Sequence, residues 1–538
     1  MDFHDRFLLI NNIKLPVCAS ESEAFSVAKK YLKWAGILSR CTDFSIYRKS
    51  IDARRKPDIY FVYSVAVRGD LDGLDGERLK EFKITLSDSQ SFEFPEMGEK
   101  KLSAPPVIVG SGPAGLFCAL VLAERGYRPI ILERGGSVAE RKTAIANFEL
   151  THRLDTDTNI QFGAGGAGTF SDGKLVTRIN APLTTYVFSR FVEFGAPEDI
   201  KTLAKPHIGT DILSVIIEKM IDRIISLGGQ ILYHTKYISH KTNNNSVTSV
   251  ITSRGEIPAG ALVLAIGHSA RDTYESLIRS SFDIEAKNFS VGMRIEHLCR
   301  DIDLAMYGEA ANLAILPHAE YNLSHNTKGR GTYTFCMCPG GVVVPAASEE
   351  GGVVVNGMSY HARSGRNSNC AVATTVYTRD YGDTPLGAIE FQRQIERKAF
   401  SAGGGGYSAP IITVGDFLGG TLKAEPYRIM PTYMSGNNVK LARPEDYLPD
   451  FVCSGIRNAL IDFDTKIKGF AAPDAILTGA ETRTSAPIRI LRDFETHLAT
   501  GYDNLYPAGE GAGYAGGITS AAIDGLLTAA ALMKKFSY

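Results

Sequence analysis

The chain has 538 residues, of which 44% are apolar and 22% charged, and 58 basic residues against 59 acidic ones give a formal net charge of −1. This composition is typical of a globular protein, and the near-zero charge argues against nucleic-acid binding through a globally basic surface. The eight scattered cysteines lack zinc or redox spacing and no run of 18 uncharged apolar residues occurs, so we expect a cytoplasmic protein with free thiols, no metal and no membrane span.

Residues 1 to 100 are predicted to form a small α/β domain. Apolar, β-branched runs at 7–10 and 59–67 indicate strands, and a helical pattern covers 21–37. Between the helical pattern and the second strand lies a basic cluster of Arg48, Lys49, Arg54, Arg55 and Lys56. The cluster could bind RNA or another polyanion, but interspersed aspartates and the neutral chain favour a solvated turn.

The next segment follows a strand, turn, helix, strand order within thirty residues. A buried strand at 107–109 leads into Gly110, Gly112 and Gly115, which open a helix. The first glycine permits a tight turn, the second lets the backbone approach a pyrophosphate, and the third lets helix and strand pack closely. A second strand ends at Glu133, where a carboxylate can accept both hydroxyls of an adenosine ribose. The unit predicts dinucleotide binding, and Glu133 favours FAD or NAD(H) over NADP(H).

Two further glycine triplets are expected near the same ligand. One lies in FGAGGAGTFSDGK (162–174), with no strand before it and no helix after it. Its amides could line a phosphate or flavin edge, or it could be a surface loop. The other lies in YPAGEGAGYAGG (506–517), after a strand-like run and before a helix. Too little chain follows for a second nucleotide fold, so we expect this helix to point its N-terminus at an anion or an electron-accepting carbonyl.

The predicted fold class is α/β. A Rossmann-type FAD-binding domain with a parallel sheet and a β-meander is split between 101–284 and 476–538. A β-rich substrate or cap domain occupies 285–475 and includes a helix near 386–400. The small α/β domain precedes both.

The glycine fingerprint, LAIG (264–267) and YPAGE (506–510) together resemble the FAD-binding fold of the glutathione reductase superfamily. Within that group, the segments FGAGGAGTFSDGK, FCMCPGG, VVVNGMS, ETRTSAPIRI and LYPAGEGAGYAGGI resemble the uncharacterised FAD-dependent dehydrogenases, over roughly residues 40–538. The resemblance implies FAD as the cofactor. The chain departs from the pattern at Ile266, where the family usually has threonine, at Glu510, where aspartate is commoner, and at Ala164, where glutamate is frequent.

The resemblance also implies roles for single residues. Glu133 would hold the adenosine ribose, Gly509 and Glu510 would approach the ribitol and pyrophosphate, and the backbone near Tyr237 would contact adenine. The helix start at 516–518 would face the pyrimidine end of the isoalloxazine. The residues expected at the cofactor are Gly110, Gly112, Pro113, Ala114, Gly115, Glu133, Arg134, Gly166, Gly168, Tyr237, Gly267, Gly509, Glu510, Gly516, Gly517 and Ile518.

Candidate catalytic residues come from the β-rich region. Cys336 and Cys338 flank one residue on a predicted strand, so their side chains should share a face. They could form a redox pair, or one could be a nucleophile, although two buried structural thiols are the commoner arrangement. His361 suits a general base and Arg363 suits a substrate anion. We therefore take His361, Arg363 and Cys336 as the candidate catalytic residues.

Other charged residues of this region leave two interpretations open. Arg294, Glu296 and His297 lie beside glycine in an apolar stretch, and could face a cleft or form structural pairs. Arg483 and Arg489 could likewise face the cleft, or pair with Glu481 and Asp493.

The sequence thus predicts an FAD-dependent oxidoreductase that exchanges hydride through flavin N5 with an unidentified small molecule. Transiently docked NAD(P)H could serve as electron donor, or the substrate itself could be the reductant. One alternative is an NAD-dependent dehydrogenase that uses the first fold alone. Another is a flavin-binding regulatory or RNA-associated protein that uses the basic cluster. The large β domain between the cofactor segments favours an enzyme, and the oligomeric state does not follow from the sequence.

Overall fold

The structure is a computed structural model that describes residues 6–88, 92–177, 182–423, 425 and 428–538. Its strands are β1 Arg6–Pro16, β2 Cys41–Arg55, β3 Asp58–Gly69, β4 Ile84–Asp88, β5 Lys100–Lys101, β6 Pro106–Val109, β7 Ile130–Leu132, β8 Gln230–Leu232, β9 Tyr237–Asn243, β10 Ser246–Thr252, β11 Gly255–Pro258, β12 Ala261–Leu264, β13 Ile284–Ala286, β14 Phe289–Leu298, β15 Ser324–Thr327, β16 Arg330–Cys338, β17 Val342–Pro345, β18 Val355–Met358, β19 Asn367–Val376, β20 Ala409–Thr413, β21 Val439–Leu441, β22 Ile476–Glu481, β23 Ile488–Ile490, β24 Leu505–Pro507 and β25 Phe536–Ser537. Its α-helices are α1 Glu21–Trp34, α2 Gly76–Lys80, α3 Pro113–Glu124, α4 Val138–Thr151, α5 Pro182–Glu193, α6 Thr210–Ser226, α7 Arg271–Arg279, α8 Cys299–Tyr307, α9 Pro385–Ala402, α10 Val414–Gly419, α11 Asp450–Lys466 and α12 Ile518–Lys535.

The chain divides into two compact units, neither of which is continuous in sequence. The first unit comprises Met1–Glu93, Arg178–His207 and Asp303–Ala319. The second comprises Phe94–Thr177, Ile208–Ile302 and Glu320–Tyr538. The four segment boundaries given from the sequence stay a prediction. No helix in the described part of the chain is both long and apolar enough to cross a membrane.

The first unit contains an antiparallel sheet in the order β2-β3-β1-β4. Alternate residues of β3 are buried, and α1 packs on β1 and β3 through Ala24, Ala28 and Leu32, which recur every four residues on one face. The basic cluster lies on β2 and the turn after it, where Arg54 pairs with Asp52 at 2.7 Å. The predicted small α/β domain is confirmed.

The second unit contains a five-stranded parallel sheet in the order β24-β12-β6-β7-β8. Helix α3 follows β6 directly and is buried from Ala114 to Ala123, against both the sheet and α12. A side chain at Gly525 of α12 would clash with the backbone carbonyl of Ala114, so glycine allows these helices to pack closely. Strands β9, β10 and β11 form an antiparallel meander. The Rossmann-type fold with a meander is therefore confirmed.

A seven-stranded sheet forms the β-rich part of the second unit, in the order β15-β16-β19-β14-β22-β20-β21. Its central strands β14 and β19 pair antiparallel over ten residues and are almost wholly buried. Helix α11 packs against β14, β15, β16 and β19 and so contributes to the burial of the central strands. Since β22 lies inside this sheet, residues that follow the predicted β-rich segment also contribute a strand to it.

Candidate active site

A cavity in the second unit is lined by all three glycine-rich segments, and with its open mouth it holds about 1560 Å³ of empty space. It lies where β6, β7, β12 and β24 end, because the carboxyl ends of parallel strands meet at one edge of the sheet. Of the residues predicted at the cofactor, all but Gly115 line the cavity. Their contact with a cofactor stays a prediction.

The first glycine triplet leaves no room for side chains at its tightest points. Gly110 has a φ of +97°, and a Cβ there would clash with the backbone oxygen of Ala265. A Cβ at Gly115 would overlap the carbonyl oxygen of Gly110, which explains why this glycine packs behind the cavity and does not line it. At Gly112 the nearest atom to a Cβ is the Cα of Gly166, 3.9 Å away, so the backbone there borders open space.

Two helices begin at the cavity. Helix α3 follows Gly112 and α12 follows Gly517, and neither glycine offers a side chain to cap the first turn. The free N–H groups and the positive end of each helix therefore point to the cavity, where they attract anions or electron-rich carbonyls. An elongated dinucleotide with a pyrophosphate and an electron-accepting ring fits this pair of helix ends.

Glu133 connects the first and second glycine-rich segments. Its Oε2 accepts hydrogen bonds from the backbone N–H and the hydroxyl of Ser111 at 3.1 and 2.5 Å, and its Oε1 accepts from the N–H groups of Gly135 and Gly163 at 2.9 and 3.0 Å. The side chain is buried and lines the cavity. This carboxylate thus fixes the loops that would surround an adenosine ribose.

Arg141 holds the second glycine-rich segment from behind. Its guanidinium is fully buried and lies over the ring of Phe170, 4.7 Å from the centroid. It donates hydrogen bonds to the carbonyl oxygens of Asn159, Ile160, Gly163, Ala164 and Gly166. Burial lowers the pKa of Arg141 to about 9, which leaves it protonated at neutral pH. The loop is therefore built on one buried cation, and the interpretation as a curved cavity-lining loop fits better than a surface loop.

The third glycine-rich segment is held by α12. Asp524 of this helix accepts a hydrogen bond from the N–H of Gly509 at 2.6 Å and is paired with Arg492 at 2.5 Å. The next residue, Glu510, lines the cavity, and burial raises the pKa of its carboxyl to about 7 against the opposing effect of Lys287. A neutral carboxylic acid can donate a hydrogen bond, which suits a position predicted to lie near ribitol and pyrophosphate.

Arg134 lies at the end of the cavity near β7, but other protein groups already hold its side chain. It pairs with Asp157 at 2.7 Å and Asp272 at 3.0 Å, and lies 4.1 Å from the ring centroid of Phe162. The guanidinium therefore shapes the cavity wall and its charge is balanced within the protein.

Strand β16 bulges at the two candidate cysteines, so regular alternation of side chains does not hold there. Cys336 has a φ of 46° and pairing with β19 shifts register between Phe335 and Cys338. Cys336 is exposed and Cys338 buried, although both line the cavity, and all eight cysteines are free thiols. Although Cys336 opens to the cavity, the protein that surrounds the two thiols excludes bulk water and raises the pKa of each to about 12. They are therefore protonated at neutral pH, which disfavours a thiolate nucleophile.

The structure does not bring His361 to the cavity wall. Its Nδ1 lies 3.0 Å from the carbonyl oxygen of Ile208, and its backbone N–H donates to Asp211. Arg363 is one residue removed from the cavity, because it pairs with Asp172, which lines the wall, and with Glu320 at 2.7 Å.

The other charged candidates already contact protein groups, and of Arg483, Arg489 and His297 only Arg483 lines the cavity. Arg483 lines the cavity and pairs with Glu396 at 3.0 Å, not with Glu481. Arg489 pairs with Glu285 at 3.1 Å, not with Asp493. His297 is buried, and its Nε2 lies 2.7 Å from the carbonyl oxygen of Phe470.

Glu296 leads to a prediction about pH. Burial raises the pKa of its carboxyl from 4.5 to about 7, although Thr432 donates two hydrogen bonds to it. Between these values the folded state binds a proton that the unfolded chain has released, so the stabilisation is complete below the lower value and is lost as the pH rises through 7. From about pH 5 to pH 8, we expect the free energy of unfolding of wild type to fall by about 2 kcal/mol more than that of Glu296→Gln, which has no carboxyl to titrate. Urea unfolding at both pH values measures this, and equal losses would contradict it.

Sequence reasoning missed several polar residues of the wall that faces the seven-stranded sheet. They are Asp172, Lys174, His268, Asn356 and Glu481. Burial, together with the charges of Arg483 and Arg271, lowers the pKa of His268 to about 3, so this imidazole is neutral at pH 7. Four of them lie in segments that carried the resemblance and the fifth, His268, directly follows LAIG, which was the available signal.

Three family models match parts of the chain. One described as "FAD-dependent protein, C-terminal domain-like" matches residues 288–484, an NAD(P)-binding Rossmann-like domain matches residues 108–165, and a domain of unknown function matches residues 8–68. An "Uncharacterized protein" of Clostridium beijerinckii is 42% identical over 531 residues, which is 98% of each chain.

The solved structures that match the chain share little sequence with it. Glycine oxidase from Bacillus cereus is 11% identical, with a TM-score of 0.34, over 80% of this chain and 98% of its own. L-amino acid deaminase from Proteus vulgaris is 12% identical, with a TM-score of 0.32, over 83% of this chain and 97% of its own.

Proposed function

Because the chain belongs to the FAD-dependent protein family, we propose that it is an oxidoreductase that acts on a small molecule in the cavity of its second unit. FAD, when bound, supplies the redox chemistry, since its N5 accepts or donates a hydride. The observation that carries the proposal is a single cavity with cofactor-type loops on one side and polar groups of the seven-stranded sheet on the other.

The cofactor side of the cavity suits FAD along its length. The N-terminus of α3 would hold the pyrophosphate, Glu133 the adenosine ribose, and the N-terminus of α12 the electron-accepting end of the ring. Because α3 and α12 come from opposite ends of the second unit's sequence, an NAD-type site made by the first fold alone would leave the α12 end of the cavity unused.

The opposite wall suits a polar substrate. Lys174 donates a hydrogen bond to the carbonyl oxygen of Met337 and lies 3.8 Å from Glu320 and 4.0 Å from Asp172. Although burial opposes it, these two carboxylates raise the pKa of Lys174, which therefore keeps its charge. The ammonium group of Lys174, whose charge Asp172 and Glu320 balance, would orient the substrate. NAD(P)H could dock at the same wall as a transient electron donor. A cytoplasmic setting stays a prediction from composition.

Anaerobic reduction of the bound flavin tests this function. A small-molecule extract of cells that express the protein should bleach the visible flavin band, and NADH and NADPH added separately show whether a nicotinamide is the reductant. Admission of oxygen or an artificial acceptor should restore the band. A flavin that dithionite reduces, but that neither extract nor nicotinamide reduces, would contradict a small-molecule oxidoreductase.

A further inference from the structure

Glu481 is a buried carboxylate at the cavity wall whose hydrogen-bonding capacity is not met by the protein. It is the last residue of β22, has 3% of its surface exposed, and lines the cavity. Its Oε2 accepts no hydrogen bond from any described residue, and the nearest cation, Nη1 of Arg294, lies 3.4 Å away. A buried acceptor without a donor is costly, and a ligand in the cavity can provide the missing donor.

The other carboxylates that line the cavity are held by protein donors or lie on the predicted cofactor side. Glu133 accepts four hydrogen bonds from the glycine-rich loops, and Asp172 is held by Arg363 and Ser359. Glu510 belongs to the segment that precedes α12 and faces Lys287. Glu481 is thus the cavity carboxylate that the seven-stranded sheet presents on the substrate side.

Arg294 holds the position of this carboxylate. Its Nε donates to Asn369 at 3.1 Å, its Nη1 to Asn356 at 3.2 Å, and its Nη2 to the carbonyl oxygen of Cys336 at 2.7 Å. A Cβ at Gly357 would lie 2.8 Å from the guanidinium carbon, so glycine leaves the space that Arg294 occupies. The pair is therefore a preorganised unit and not a chance contact.

A continuous set of contacts connects this pair with the start of α12. Arg294 binds the carbonyl of Cys336, and the next residue, Met337, accepts a hydrogen bond from Lys174. The carbonyl of Leu175 in turn accepts one from Thr519, in the first turn of α12, at 2.8 Å. Glu481 therefore belongs to the end of the cavity where the redox-active ring is expected, and not to the adenosine end.

We propose that Glu481 is the proton acceptor for substrate oxidation, and that the substrate carries an O–H or N–H group on the carbon that gives up its hydrogen. This proposal rests on the proposed function. In the step, the carboxylate takes the O–H or N–H proton, and a C=O or C=N double bond forms as the C–H hydrogen leaves with its electron pair, which FAD, when bound, would accept. Glu481 then returns the proton to water at the cavity mouth.

The electrostatics suit a base that works near neutral pH. Burial raises the pKa of Glu481 to about 7, and Arg294 opposes this rise. The charged or titratable groups that face it are Arg294 of β14 and Cys336 of β16, whose thiol is protonated. From α9, Glu396 faces the residues after β22, where Arg271 and Arg483 already neutralise it.

Sulfite tests the position and titration of Glu481 without a known substrate, because it adds to N5 of an oxidised flavin and bleaches the visible band. An ionised carboxylate near N5 repels this anion, whereas a protonated one does not. We expect the holoprotein of Glu481→Gln to bind sulfite about tenfold more tightly than wild type at about pH 8.5, and equally at about pH 5.5. The same Gln variant should be reduced more slowly by the cell extract.

Two variants separate this role from general damage. Glu481→Asp keeps the charge, so its sulfite affinity should depend on pH as that of wild type does. This variant also tests the proposal if the Gln variant fails to fold. Glu390→Gln, a helix carboxylate that pairs with Arg393 and does not line the cavity, should match wild type at both pH values. A Gln-to-wild-type affinity ratio that is equal at both pH values, or an Asp variant without pH dependence, would overturn the proposal. If the sulfite results overturn the role of Glu481 but the extract still reduces the wild-type flavin, the proposed function stands and only the role of Glu481 fails.

Discussion

Replacing Glu133 with alanine is expected to weaken FAD binding at least about 100-fold, which corresponds to two tenfold steps of about 1.4 kcal/mol each. The substitution removes the acceptor of three buried N–H groups, those of Ser111, Gly135 and Gly163. Each orphaned donor costs about 1–3 kcal/mol, and the loops that carry them lose their common anchor. The contact predicted with the ribose hydroxyls is lost as well.

Titration of the FAD-free protein with FAD, followed by quenching of flavin fluorescence, measures the dissociation constant. Glu133→Gln keeps one oxygen acceptor and should give an intermediate constant. Glu218→Ala changes an exposed carboxylate of α6 and serves as the matched control. An alanine variant at position 133 that binds FAD as tightly as this control would show that the carboxylate does not organise the site.

Replacing Arg141 with methionine is expected to lower the free energy of unfolding by about 3 kcal/mol or more. Methionine fills similar space but cannot donate, so the carbonyl groups of residues 159–166 lose their shared donor. Water can satisfy some of them, and the remainder stay buried without a partner. Because Gly166 and Gly168 lie on or beside this loop at the cavity, FAD retention should fall together with stability.

Urea unfolding followed by circular dichroism measures the loss. Lys142→Met is a close control, because Lys142 is exposed and adjacent in sequence, so the same side chain is introduced on the solvent side of α4. Arg141→Lys keeps the charge but not the several N–H donors of the guanidinium, so its unfolding midpoint should lie between those of Arg141→Met and Lys142→Met. Equal midpoints for the methionine variants at 141 and 142 would mean that the loop does not depend on the buried guanidinium.

The cofactor half of the site was predictable because its signals are local. The strand, the glycine turn, the helix and Glu133 lie within about thirty residues, and each requires a backbone geometry that sequence patterns record. The start of α12 was predictable for the same reason, since a glycine-rich turn directly precedes a helix of small and apolar residues.

The substrate half could not be read in the same way. Lys174 and Glu481 are more than 300 positions apart in sequence, and they meet at one cavity wall only because β14, β16 and β22 belong to the same sheet, whose order differs from the chain order. The bulge that exposes Cys336 depends on pairing with β19, not on the local sequence. His361 lies beside charged and glycine residues in sequence, but its Nδ1 lies at the carbonyl oxygen of Ile208, and the residue does not line the cavity.

The most direct test of the central claim is the visible spectrum of the purified protein, combined with the identity of the cofactor released on denaturation. We expect the two absorption bands of an oxidised flavin, and a released compound that matches FAD, not FMN, at one per chain. A protein that is colourless as purified, and stays colourless and binds no FAD after incubation with it, would not be an FAD-dependent oxidoreductase.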